Sequence, residues 1–124
     1  MRHPTLGTVV LKAKSSILHT ASSWLVYEKH LEVYVRVNQV MMINGELTNV
    51  LTLANMLVCD SSKRGKGLLT SFLGFCGTQT DLPIVVENVV NPRLYGLLLR
   101  NGFSVIETSY PCLSPSYFRP HTLE

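Results

Sequence analysis

Lys63, Arg64 and Lys66 are interleaved with Gly65 and Gly67, directly before an apolar run that begins at Leu68. Much of the formal net charge of +3 sits in this one stretch. A glycine-rich loop that feeds a helix N-terminus is an anion site for a physical reason. The first backbone N–H groups of a helix have no partner within it, and the helix dipole adds partial positive charge. Gly65 and Gly67 let the backbone approach a phosphate closely, and Arg64 and Lys66 add charge-assisted contacts. Two nucleotide motifs fail here. A P-loop needs glycine where Asp60 stands, and Ser or Thr where Gly67 stands. A dinucleotide fingerprint starting at Gly65 needs a third glycine where Thr70 stands. Taken alone, the loop also reads as a solvated basic turn before a helix.

The rest of the chemistry is bounded by composition. Hydrophobic residues make up 46% and charged residues 15%, which excludes a disordered chain. The 124 residues suit one domain, large enough to bury roughly two thirds of its unfolded surface. Cys59, Cys76 and Cys112 are too scattered for a disulfide framework, and no pair has metal-ligand spacing. His3, His19, His30 and His121 are equally dispersed, so no metal site is expected. No apolar run reaches the roughly 18 residues of a membrane span, and the first residues lack the apolar stretch of a signal peptide. A cytoplasmic protein is expected, with no membrane partner. A mild positive balance by itself is no argument for nucleic acid.

The elements that must position the loop follow from periodicity. Thr8–Leu11 reads as a short strand. Ser15 or Ser16 offers a cap for a helix carrying Ile17, Leu18, Ala21, Trp24 and Leu25 and ending near Lys29. From Leu31 to Val58 the pattern becomes β-rich, an antiparallel meander of three strands. Its first turn falls at Asn38-Gln39 or only at Asn44-Gly45. After the loop, Leu68, Leu69, Phe72, Leu73 and Cys76 recur at helical spacing until Gly77, and Pro83–Glu87 reads as a buried strand. Residues 50–87 are therefore strand, loop, helix, strand, a crossover that makes the two strands parallel. Asn91-Pro92 opens another helix with Leu94, Leu97 and Leu98 inward, and Gly102-Phe103 closes it. Ser104–Thr108 is a further strand, and Tyr110–Pro120, with its prolines, an irregular cover. The fold class is α/β in the mixed α+β sense. A mostly antiparallel central sheet carries one parallel β-α-β crossover and flanking helices.

Arg64-Gly-Lys-Gly-Leu-Leu69 resembles the Arg/Gln-x-x-Gly-x-Gly/Ala pyrophosphate loop of the GNAT superfamily of CoA-dependent N-acyltransferases. The segment Asn91-Pro-Arg-Leu-Tyr-Gly-Leu-Leu-Leu-Arg-Asn-Gly-Phe103 is similar to that family's second motif, an Asn-headed helix closed by Gly-Phe. The resemblance covers about residues 31–108, and the small size resembles compact bacteriophage members. It implies a single GNAT-like domain over 1–124: an N-terminal strand and helix over 1–30, a CoA-binding core over 31–108, and a tail over 109–124.

The resemblance further implies a sheet whose two crossover strands splay apart, with acetyl-CoA (coenzyme A) as the acyl donor. The pantetheine arm would lie in the gap. Backbone near Leu57 and Val58 would pair with it, and an N–H near Val58 would face the oxyanion. Amides of Arg64, Gly65, Lys66, Gly67, Leu68 and Leu69 would hold the pyrophosphate, and Asn91 would reach the pantetheine. Two positions depart from the pattern. Leu69 stands where the family has glycine or alanine, and Leu98 where many members carry the tyrosine that protonates the leaving thiolate. Tyr95, three residues earlier, is the candidate substitute. Glu87, at the end of the apolar run Ile84-Val85-Val86, is the candidate base, expected at the strand's open end and partly desolvated. The implied activity is acetyl transfer to an amine whose identity the sequence does not disclose, since that site is built from the N-terminal helix and the tail. The alternative is an inactive GNAT-fold binding or assembly module. A homodimer is compatible with either.

Overall fold

The computed structural model describes residues 5–58, 67–87, 89, 92–106 and 116–120. Helix α1 (Leu6–Ser15) forms because Leu6, Val9, Val10 and Ala13 make one buried stripe at helical spacing. Thr5 caps it, its side chain accepting from the Thr8 N–H at 3.1 Å. The helix ends where Ser16 turns extended. The Ser16 hydroxyl donates to the Ala13 carbonyl and accepts from the Thr20 N–H.

This reverses the expected order of the first thirty residues. Thr8–Leu11 is helical, not a strand, and Ser16 closes a helix in place of opening one. Ile17 and Leu18 lie on an exposed turn, 96% and 80% accessible, and Ala21–Tyr27 is strand β1. Pairing decides the matter. All of β1 is in antiparallel register with Leu31–Val37, from Ala21↔Val37 to Tyr27↔Leu31, and that ladder overrides the helical spacing of the side chains.

Strand β2 (Leu31–Ile43) buries Leu31, Val33, Val35 and Val37 on one face, and a two-residue turn at Asn44-Gly45 returns the chain as β3 (Glu46–Val58). Both turn residues have positive φ, 50° and 88°, as a type I′ hairpin requires. The span from Leu31 to Val58 is thus two strands, and β1 supplies the third member of the meander. Asn38 marks a bulge and no turn: its φ is 65°, and the register slips between Arg36↔Thr52 and Gln39↔Val50.

Helix α2 (Leu68–Gln79) runs two residues past Gly77, where termination was expected. Strand β4 (Ile84–Val86) lies parallel to β3, with Leu51↔Ile84 through Leu53↔Val86 in register, so the expected crossover is present. Helix α3 (Pro92–Arg100) ends as read: Gly102 has φ 86°, the Phe103 N–H donates to the Leu98 carbonyl at 3.0 Å, and the Gly102 N–H to Leu99 at 3.3 Å. Within the expected strand Ser104–Thr108, β5 is Ser104–Val105. The tail is no irregular cover throughout. Tyr117–Arg119 forms β6, which inserts between β4 and β5 and gives the order β1-β2-β3-β4-β6-β5. One parallel pair in an otherwise antiparallel sheet is the architecture expected.

All buried residues of the three helices join one core against Val33, Val35, Leu51, Leu53, Ile84 and Val86. The opposite face of the sheet carries a smaller cluster, Ile43, Val50 and Val85 with Met41, Ile106 and Phe118. No helix among the described residues is long and apolar enough to cross a membrane.

Candidate functional site

Strands β3 and β4 pair over three residues only. Their ladder runs from the Leu51 N–H on the Pro83 carbonyl to the Glu87 N–H on the Leu53 carbonyl at 3.0 Å, and β3 continues to Val58 while β4 ends at Val86. Strand β3 carries a second bulge. Asn55 has φ 53°, and the register with β2 slips between Tyr34↔Ala54 and Glu32↔Leu57. A bulge bends and twists the strand that carries it, and this one lies directly past the last β4 partner, Leu53. The sheet thus forks in the sense that the β3–β4 ladder ends at Leu53 and Glu87 while residues 54–58 of β3 run on.

Of the predicted site residues, Leu57, Val58, Gly67, Leu68, Leu69, Glu87 and Tyr95 are described. Leu57 faces the helix-free side of the sheet opposite Glu32 and is half exposed. Val58, opposite Leu31, packs toward the helices. Gly67 sits at the N-cap of α2 with φ 77° and no side-chain cap; a Cβ built there meets nothing within 4 Å. Among the described residues nothing covers the start of α2 at Gly67, while Leu68 and Leu69 lean on the core. Tyr27 fixes this end of α2, its hydroxyl 2.8 Å from Ser71 Oγ and its ring against Phe72 and Phe75. Arg64, Gly65, Lys66 and Asn91 lie outside the described residues.

Glu87 and Tyr95 flank the fork from opposite faces. Glu87 projects to the helix-free side, where Arg36 Nη1 donates to its Oε1 at 2.9 Å. Tyr95 lies on the helix side, stacked on Tyr117 with ring centroids 5.8 Å apart. Tyr117 is in register with Val86, so both residues sit level with the end of β4. Leu98, at the position of the missing tyrosine, is fully buried in the core.

Sequence reasoning missed Arg36 and Thr52. Arg36 is on β2, and its side chain passes over β3 to reach Glu87, since Arg36, Thr52 and Val85 share one row and one face. Its guanidinium lies 5.4 Å from the centroid of the Tyr34 ring, which meets Trp24 edge-on at 5.3 Å. Thr52 is wholly buried in that row and donates to Gln39 Oε1 at 2.6 Å. The available signal was a lone cation in the alternating run Val33–Val37, legible only once the strand order is known.

A separate concavity of about 540 Å³ lies at the other end of the sheet, between Val10, Lys14, His19, Asn38, Gln79 and Asp81. It is remote from the end of the β3–β4 ladder, where the start of α2 and the Arg36–Glu87 pair lie. Among the described residues no group of three or more His, Cys, Asp or Glu is placed to hold a metal.

No protein-family model matches the chain, and no curated protein matches it by sequence. Solved structures do. An acetyltransferase from Thermus thermophilus is 21% identical with a TM-score of 0.58, over 94% of this chain and 75% of that one. A Corynebacterium glutamicum structure described as histone acetyltransferase HPA2 and related acetyltransferase is 14% identical with a TM-score of 0.54, over 98% and 81%. The fold of this chain is the GNAT fold of those acetyltransferases.

Proposed function

We propose that the chain is an acetyl-CoA-dependent N-acetyltransferase acting on an amine in the cytoplasm. The observation that carries this reading is the fork between β3 and β4, in a fold shared with acetyltransferases. An extended pantetheine arm suits the place where the ladder ends. Residues 54–58 run on as part of β3 past the end of that ladder, with the spacing along which an added strand pairs. The backbone at Gly67 and the neighbouring charges of Arg64 and Lys66 suit the pyrophosphate, with Leu68 and Leu69 beneath, and Asn91 suits the pantetheine. The residues present fit the ligand.

On this reading the chain mostly positions two groups that react once aligned. Glu87, held at Oε1 by Arg36, takes a proton from the acceptor ammonium, directly or through water. The amine nitrogen bonds to the thioester carbonyl carbon as the C–S bond breaks. Backbone N–H near Val58 faces the charge on the carbonyl oxygen. The thiolate takes a proton on the Tyr95 side.

A second reading has its own observation: Leu98 is core and Tyr95 is stacked, so the chain also suits a CoA-binding module without turnover. The test is whether acetyl-CoA raises the melting temperature and whether free CoA thiol then appears with amines present. Stabilisation with release supports the enzyme. Stabilisation without release supports the module, and no stabilisation removes both.

A further inference from the structure

Arg36 stands out among the residues of the fork. It interrupts a valine ladder, and its guanidinium is held on two sides, by Glu87 Oε1 at 2.9 Å and by the Tyr34 ring. Tyr34 is fixed in turn, its hydroxyl donating to Ser22 Oγ at 3.0 Å and its ring braced by Trp24. Yet the pair is not sealed in: the Arg36 and Glu87 side chains are 36% and 20% accessible. Such a part-exposed pair contributes little to stability. A guanidinium carries five N–H donors in a planar fork matched to carboxylates, and one of them meets Glu87. Orientation without burial is what a recognition group requires.

We propose that Arg36 binds a carboxylate of the acceptor, and that the acceptor is an amino acid whose ammonium lies at Glu87. This rests on the acetyl-transfer reading of the fork. Because Arg36 and Glu87 touch each other, the two charged ends of the acceptor are separated by few bonds, on the same or a neighbouring carbon. A protein lysine, with no carboxylate beside its amine, satisfies only Glu87. The step balances. The ammonium gives one proton to Glu87, the free amine attacks the thioester carbonyl, and a C–N bond replaces the C–S bond. The second proton goes to the thiolate and the third stays on the amide nitrogen. The products are an N-acetyl amino acid and CoA thiol.

The test uses the whole chain with acetyl-CoA and the standard L-amino acids, each compared with its carboxamide, read by thiol release. CoA affinity is measured separately by calorimetry, as is amino-acid binding to the CoA complex. At least one amino acid should bind and be acetylated with KM at least about tenfold below that of its amide, the effect of one charge-assisted contact. Arg36→Met should abolish that preference, and Arg36→Lys should restore part of it. Equal handling of acid and amide, or a preference that survives Arg36→Met, overturns the proposal. So does an intact CoA affinity with no amino acid bound. Loss of CoA binding in the wild type would instead sink the acetyl-transfer reading beneath it.

Discussion

Glu87 can be tested without disturbing its surroundings. Glutamine keeps the side-chain length and an oxygen for Arg36 to donate to, while removing the proton-accepting charge. General acid–base groups contribute about 10²–10⁴-fold, so Glu87→Gln should lower turnover by that factor with CoA affinity kept. Normal turnover in this variant, in a thiol-release assay, would move the base elsewhere or to bulk water. Cys76 offers a second test at this scale. It is fully buried, and burial pushes its thiol up to about 12, an effect the nearby Arg119 charge only partly offsets. The unfolded thiol ionises near 9.0. Because the folded value is the higher, the unfolded state loses its proton first. The contribution to stability is therefore full below pH 9.0 and is lost as pH rises toward about 12. Denaturation of wild type and Cys76→Val at pH 8 and 10.5 should show the wild type losing more, by up to about 1.4 kcal/mol per pH unit. Equal losses would mean the thiol is not held neutral.

At the level of elements, Gly102 has the clearest role. Its φ of 86° closes α3, and a Cβ there would meet only Arg119 side-chain carbons at 3.5 and 3.8 Å, ordinary contact. Gly102→Ala should therefore cost only the left-handed backbone penalty, about 1–2 kcal/mol by chemical denaturation, and Gly102→Asn less. Equal stability would show that the helix ends without this constraint. Such local devices were legible in the sequence: the Asn44-Gly45 turn, the Gly102 stop and Pro92 at the first position of α3 each need only their own residues. The N-terminal third was not. Ile17, Leu18, Ala21, Trp24 and Leu25 satisfy helical spacing, but the partner that makes 21–27 a strand is Leu31–Val37, and pairing is not written in periodicity. The Thr5 cap and the stripe Leu6, Val9, Val10 and Ala13 were readable, yet two valines in Thr8–Leu11 look like a strand until their burial is known. Bulges at Asn38 and Asn55 left no signal beyond an asparagine within a strand. The fork and the Arg36–Glu87 pair depend on those bulges and on strand order, which is why Glu87 could be singled out from the sequence and its partner could not.

For the whole molecule, ligand binding and folding are coupled, and that coupling gives a test of the pyrophosphate loop. A ligand that binds only the folded state at 100 times its Kd stabilises it by about 2.7 kcal/mol, which for a domain of this size raises Tm by roughly 10 °C. Acetyl-CoA should do so, and less at high salt, because the proposed phosphate contacts with Arg64 and Lys66 would be screened. Gly67→Asp separates this from general damage. With φ 77° and open space where a Cβ would stand, position 67 favours aspartate over most side chains, since Asp and Asn visit the left-handed region more readily. A carboxylate at the start of α2 also suits the helix dipole and its uncapped N–H groups. The free variant should accordingly melt close to the wild type. With the ligand the same carboxylate stands against the phosphates, so the shift produced by acetyl-CoA should vanish in Gly67→Asp and persist in part in Gly67→Asn. A full shift in both variants, followed by differential scanning fluorimetry across a salt series, would place the pyrophosphate away from α2.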